Sequence, residues 1–560
     1  MQDIRLTAEV QEQVFSKLCS MIKKIPAGSI PPLIFQLLNF VKHSSSLSRQ
    51  LLSHINHFFS TKLTPEDRDR EVGGDKTCNM DLDSIELVAD DNTVAELLAA
   101  ETTVVYHINQ AVKSGHVIGR DVVNLVKAGS HAPELVLTPF AMFLSLSFVS
   151  IKQFQDVILS NLRAATIKAV TIDDQRNQYT WTRSVVRNVP DIGDLLSLVI
   201  TQSKKSGGWD LILTGILDLG LTLVDYNSIS KSDVKKTKII NNIGARLLLK
   251  LVKKQKESVH EVITALTNKI LTSNVSNVQY TEALRIIISE SAGIFMETPH
   301  VFTELVENVS RLPFNTSRRC LYAMLPVVKL SRVLRDRLIL ALRKLLFSSS
   351  SEARQSATAG VLMLLKTFKI STSRSVSQLS QSSGSLSQVA VDVHRGTATT
   401  NEALCLELLG VLKRCFMQQT EVKMVFYQGI VEVINKNPEL CEGVLELAHG
   451  HMLSLWGPEG AARNRWQLNL EKIIKDNNDI ISIEEPIGWY LNGLQLIVSK
   501  CQQVNEEDNE ILEKVVKHLD DMVAKYSESE PGELGFDVTD NFDKKTKIGE
   551  KKTIQLEQLR

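Results

Sequence analysis

Apolar residues recur at intervals of three and four along most of this chain, with polar residues on the opposite face, which is the period of amphipathic α-helices. Thr7 is placed to cap a first helix whose apolar set is Val10, Val14, Leu18, Met21 and Ile25, and Pro26 stops it. Pro31-Pro32 opens a second with Leu33, Leu37, Leu38 and Val41, and residues 48–60 add Leu51, Leu52, Ile55, Phe58 and Phe59. The period returns over 94–112, 122–127, 151–172, 192–203, 209–224, 239–254, 259–271, 281–295 and 333–347, with short loops and little strand-like alternation. Helix following helix predicts an all-α fold, an α-solenoid of antiparallel helical pairs with intervening helical domains. No strict repeat length emerges, so no regular repeat type is assigned.

Breaks in the pattern divide the array. Residues 1–100 read as the end of a first solenoid with an acidic loop at 61–92, 101–195 as a helical domain, and 196–369 as a second solenoid. Residues 370–400 read as a Ser/Gln-rich linker, 401–525 as a second helical domain opened by a Thr399/Glu402 capping box, and 526–560 as a charged, disordered segment.

Composition narrows the class more than the activity. A chain of 560 residues exceeds a single core. With 64 basic and 64 acidic residues there is no whole-molecule field, so any contact with nucleic acid has to come from local patches. Seven cysteines without a CxxC pair argue against a disulfide framework or zinc ribbon, and Cys405, Leu408, Leu412 and Cys415 share one helical face, so those thiols read as small core hydrophobes. The apolar run over 139–151 is too short to span a bilayer and the first residues lack a secretory layout, so a soluble intracellular protein without membrane contact is expected.

No catalytic constellation, metal site or cofactor motif is found. His260-Glu261 begins an HExxH-like stretch, but Thr264 stands where the second imidazole must be. The pairs His54/His57 and His449/His451 read as ordinary helix histidines, and the five tryptophans as scattered packing residues. Basic clusters occur at Lys231, Lys235, Lys236 and Lys238, at Lys250, Lys253, Lys254 and Lys256, and at Arg332, Arg335, Arg337, Arg343 and Lys344. Either phosphate contact or simple solvation fits them, and Lys235, Lys236, Lys253 and Lys254 are the candidate DNA contacts. On the 333–347 helix Leu338, Leu342 and Leu345 mark the buried face, and Lys344 points about 120° away from it.

The stretch STSRSVSQLSQSSGSLSQ at 371–388 sets Ser377, Ser380 and Ser387 each before a glutamine, the dipeptide read by checkpoint kinases of the phosphatidylinositol-3-kinase-like class. Each phosphate would add about −1.5 to −2 of charge and new acceptor oxygens. A Ser-rich spacer generates the same dipeptides by chance.

Several blocks in order resemble the Fanconi anaemia complementation group I family: IPPLIFQLLNF at Ile30, KQFQDVIL at Lys152, SGGWDLILTGILDLGLTLVD at Ser206, LRKLLF at Leu342, the Ser-Gln cluster running into QVAVDVH at Gln388, and EALCLELLGVLKRC at Glu402. Family members are longer, and the resemblance maps this chain to an internal portion. It implies a non-enzymatic nuclear DNA-repair scaffold that forms a clamp on duplex DNA with the paralogous Fanconi group D2 protein. It further implies that Lys344 is the acceptor of one ubiquitin, delivered by the Fanconi ligase machinery, and that Ser377, Ser380 and Ser387 are the checkpoint-kinase cluster. The other reading is a helical-repeat adaptor or transport scaffold gripping a peptide or protein partner.

Overall fold

The computed structural model describes residues 8–63, 91–129, 131–186, 189–227, 233–273, 278–368, 404–456, 470–477, 480–504, 510–528, 536–537, 539–543 and 546–559. They fall in two compact units, 1–301 and 302–560. The first holds α1 (Ala8–Met21), α2 (Ile30–Val41), α3 (Ser45–Lys62), α4 (Asp91–Ser114), α5 (His116–Gly129), α6 (Pro139–Phe148), α7 (Gln155–Asn177), α8 (Thr182–Val185), α9 (Ile192–Lys205), α10 (Trp209–Val224), α11 (Val234–Lys254), α12 (Ser258–Thr272) and α13 (Val278–Ser291). The second holds α14 (Thr303–Glu307), α15 (Phe314–Leu330), α16 (Arg332–Leu345), α17 (Ser351–Thr367), α18 (404–412), α19 (Thr420–Lys436), α20 (Cys441–Leu455), α21 (Leu470–Ile473), α22 (Ile487–Val504), α23 (Glu510–Glu528) and α24 (Lys547–Leu559).

The fold is an all-α solenoid. Helices pack on their next and next-but-one neighbours, as in α9–α11, α10–α11 and α11–α13 of the first unit and α15–α17, α16–α17 and α17–α19 of the second. Such contacts bury one stripe of each helix against the two that flank it. Small residues set the closest crossings. A Cβ on Gly244 of α11 would stand 2.7 Å from the Gly220 carbonyl of α10, and one on Gly215 would run into the Leu146 carbonyl of α6. Two glycines of the SGGWDLILTGILDLGLTLVD block thus let three helices approach backbone to backbone.

Four details depart from the sequence reading. Helix α1 buries Phe15 and Cys19, and Ile22 of the 3-10 turn that follows continues their stripe, while Val10 and Met21 face solvent, so the core stripe is rotated from the expected set. Trp456 is buried, but Trp181 and Trp489 are exposed, so packing does not account for all the tryptophans. A two-stranded antiparallel hairpin, β1 (Ile474–Asn477) and β2 (Ile480–Ile483), pairs Ile474 with Ile483. Residues 547–559, expected as part of a disordered tail, form α24: Lys552 pairs with Asp540 at 2.9 Å and lies 5.4 Å from the Phe536 ring, which stacks on Phe542. Among the described residues no helix is long and apolar enough to cross a membrane.

Candidate functional site

Helix α16 follows directly on α15, and Ser331 makes the break by accepting a hydrogen bond from the Leu334 amide at 3.3 Å. That cap satisfies one of the orphan donors of the first turn. Arg343 and Lys344 occupy the last turn, where cations complement the helix dipole. Leu334, Leu338, Ile339, Leu342 and Leu345 are buried, and Gly360 of α17 makes room for Leu342, since a Cβ there would sit 2.6 Å from it.

Lys344 is exposed, as its place off the Leu338/Leu342/Leu345 stripe requires. It shares the solvent face with Val333, Leu340 and Phe347, of which Leu340 is 70% and Phe347 66% exposed. Its neighbours are held from α18 and the turn after it: Arg343 forms an ion pair with Glu407, and the Arg414 guanidinium lies 4.3 Å from the Phe347 ring centre. Ser377, Ser380 and Ser387 lie outside the described residues, as does the Thr399/Glu402 capping box. The two stems that flank them are defined. The Phe368 carbonyl accepts from Cys405 Sγ and from Asn437 Nδ2, each at 3.2 Å, while Arg335 of α16 covers the Phe368 ring at 5.0 Å. The chain therefore leaves at Phe368 and returns at Cys405 beside it, with both stems touching the helix of Lys344.

The lysines singled out in the first unit differ among themselves. Lys235 and Lys254 are exposed, whereas Lys236 pairs with Asp233 at 3.7 Å and Lys253 with Glu290 at 3.2 Å. Lys250 turns inward to Ser197 and the Gly193 carbonyl, and Lys256 pairs with Glu297 at 3.0 Å. Much of that basic character is spent on local contacts.

The histidines separate. His449 Nε2 meets His518 Nδ1 of α23 at 3.0 Å, while His451 Nε2 meets Glu485 Oε2 at 3.2 Å. Glu485 is 1% exposed and also accepts from Lys423 Nζ at 2.8 Å and Tyr427 Oη at 2.6 Å. Burial works to raise the carboxyl pKa, but the His451 hydrogen bond and the Lys423 charge outweigh it and hold Glu485 below the ordinary carboxylate value. Its partners stand tens of residues away along the chain, so no sequence spacing signals this cluster. Burial pushes the Cys405 and Cys415 thiols up to about 11, so they stay protonated and packed, as their shared face implies. Among the described residues no group of three His, Cys, Asp or Glu side chains is placed to hold a metal.

Four family models match the chain in sequence order: FANCI solenoid 1 over 1–113, FANCI helical domain 1 over 117–202, FANCI solenoid 2 over 212–362 and FANCI helical domain 2 over 376–559. The chain belongs to the Fanconi anemia group I family. It is 29% identical over 99% of its length to the Fanconi anemia group I protein homolog of Mus musculus and 27% identical over 99% to the Fanconi anemia group I protein of Gallus gallus, covering 42% of each. The chain thus spans less than half the length of these curated relatives. An engineered protein of solved structure aligns with 87% of this chain and 98% of its own at 12% identity and a TM-score of 0.24, too loosely to bear on the fold. In the family's terms Lys344 lies in the solenoid 2 match, and Ser377, Ser380 and Ser387 lie in the helical domain 2 match.

Proposed function

We propose that this Fanconi anemia group I chain is a non-enzymatic scaffold of nuclear DNA crosslink repair, in which Lys344 accepts one ubiquitin and phosphorylation at Ser377, Ser380 and Ser387 governs that event. The single observation that supports it most is the exposure of Lys344 on a rigidly packed helix whose contacts reach both stems of the Ser-Gln stretch. An amine at such a position is open to isopeptide formation with no local unfolding. Up to three phosphates tethered at those stems would bring several negative charges close to Arg335, Arg337 and Arg343.

In this reading the chain pairs with the paralogous group D2 protein on duplex DNA, and the attached ubiquitin adds contacts present only in the closed pair. A ligand or modifier shifts such an equilibrium only through what it contacts in one state and not the other. The decisive experiment is a reconstituted reaction with the Fanconi ligase machinery, the D2 partner and DNA. Lys344→Arg keeps the charge and removes the acceptor, so conjugation to this chain is expected to fall to background. Undiminished conjugation would refute the assignment. Aspartate at all three serines is expected to speed conjugation relative to alanine at all three.

A further inference from the structure

Helix α15 carries no acidic residue. It presents Asn315, Arg318, Arg319, Tyr322 and Lys329 to solvent, opposite the buried row Ser317, Leu321, Met324 and Val328. At about 100° per residue these five fall within one arc of about 100°, with exposed Leu330 about 20° beyond its edge. Arg311, exposed at the end of the 3-10 turn Asn308–Arg311, precedes the helix. Arg311, Arg318, Arg319 and Lys329 form no ion pair among the described residues. The nearest acids in sequence lie outside the helix, at Glu307 and at Asp336, and Arg332 already pairs with Asp336 at 3.7 Å.

We infer that this face of α15 is a binding surface for the phosphate backbone of duplex DNA. The inference rests on the reading above for the presence of a DNA partner, and names the residues that meet it. Exposed cations on helices are ordinarily diluted by acids three or four positions away. Here the dilution is missing, in contrast to Lys236, Lys253 and Lys256, whose charges are taken up locally. From Arg318 to Lys329 the row runs about 16 Å along the helix, long enough to meet successive phosphates instead of one. The aromatic side chain on the face, Tyr322, has the Arg318 guanidinium 5.9 Å from its ring centre, so the face offers no ladder of free rings for unpaired bases. A row of repeated charge without stacking platforms favours the backbone of a duplex over single strands, and over a phosphopeptide carrying one phosphate.

The test is fluorescence anisotropy of the whole chain with a labelled 30-base-pair duplex of mixed sequence across a salt series. Each phosphate contact contributes about −0.9 to the slope of log K against log salt. Arg318→Gln/Arg319→Gln/Lys329→Gln together are therefore expected to make the slope shallower by about 2.7. Between 50 and 200 mM salt the unaltered chain would lose about 40-fold more affinity than the variant. Arg285→Gln/Lys514→Gln, which removes two surface cations paired with Glu282 and Glu510, is expected to leave the slope within about half a unit of the original. Circular dichroism of both variants checks that the helices are intact. Duplex binding with an unchanged slope in the triple variant overturns this surface and leaves the DNA reading standing. Absence of duplex binding at any salt overturns both. Preference for a single-stranded oligonucleotide, or for a phosphoserine peptide, lost in the triple variant would assign the row to that ligand and overturn the duplex inference.

Discussion

Glu485→Gln should be among the most destabilising single changes in the second unit, although it alters neither shape nor volume. Glu485 leads out of the β1–β2 hairpin, and its carboxylate gathers Lys423 and Tyr427 of α19 and His451 of α20. The hairpin is pinned from the other side by the Glu484 amide, which donates to the Ile473 carbonyl at 2.7 Å. With glutamine in place, Lys423, itself 6% exposed, keeps a buried positive charge without its counter-ion. Removing one partner of a buried pair costs about 3–5 kcal/mol, because the survivor's desolvation is no longer offset. In a unit of this size, at about 2–4 °C per kcal/mol, that corresponds to a fall of about 6–20 °C in its unfolding midpoint. Lys423→Met combined with Glu485→Gln removes both charges and should recover most of the loss, giving a coupling of about 2 kcal/mol or more. Urea titration followed by tryptophan fluorescence is a suitable assay, since Trp456 is buried and its ring lies 6.3 Å from Tyr490, which packs on both Tyr427 and His451. A single variant within about 0.5 kcal/mol of the parent, or singles whose effects simply add, would refute the reasoning.

Two glycine-to-alanine changes in helix interiors should move stability in opposite directions. Gly493→Ala in α22 should stabilise by about 1 kcal/mol, since the new methyl meets the Tyr427 carbonyl oxygen at 3.5 Å and the helix gains propensity. Gly215→Ala in α10 should destabilise by about 1–3 kcal/mol, since its methyl collides with the Leu146 backbone; thermal melts of both variants check the pair. His449 is held below the ordinary imidazole value by burial, His518 and Lys514, so it is neutral when folded and takes up a proton more readily when unfolded. The resulting stability is present above about pH 6.5 and lost as pH falls through the depressed folded value. Protection factors from hydrogen exchange in α20 and α23, taken relative to the intrinsic rate at each pH, should fall over that range in the parent and not in His449→Gln.

How much of this was legible in the sequence depended on where the partners lie. Trp209–Val224 was read to its ends because Gly208 precedes its regular apolar period and the packing is dense throughout. Lys344 was placed off the core because three leucines at helical spacing fix the face of α16, and no tertiary contact overrides them. In α1 the periodic set was ambiguous: Phe15, Cys19 and Ile22 also share a stripe, and only packing chooses between the two. The hairpin is weakly marked in the sequence: its strands are four residues each, and Asn477-Asn478 between two isoleucine pairs is its one turn signal. Helix α24 was hidden by a charged composition whose anchoring rings, Phe536 and Phe542, precede it. The Glu485 cluster and the unpaired face of α15 needed coordinates, since both depend on which charges meet across helices.

The central claim is that Lys344 carries the ubiquitin, and mapping the conjugation site tests it most directly. The chain, isolated from cells under replication stress and digested with trypsin, should yield a peptide in which Lys344 bears the Gly-Gly remnant of ubiquitin, with Lys344→Arg abolishing the conjugated species. A remnant on other lysines alone, with Lys344 recovered unmodified, would contradict the account.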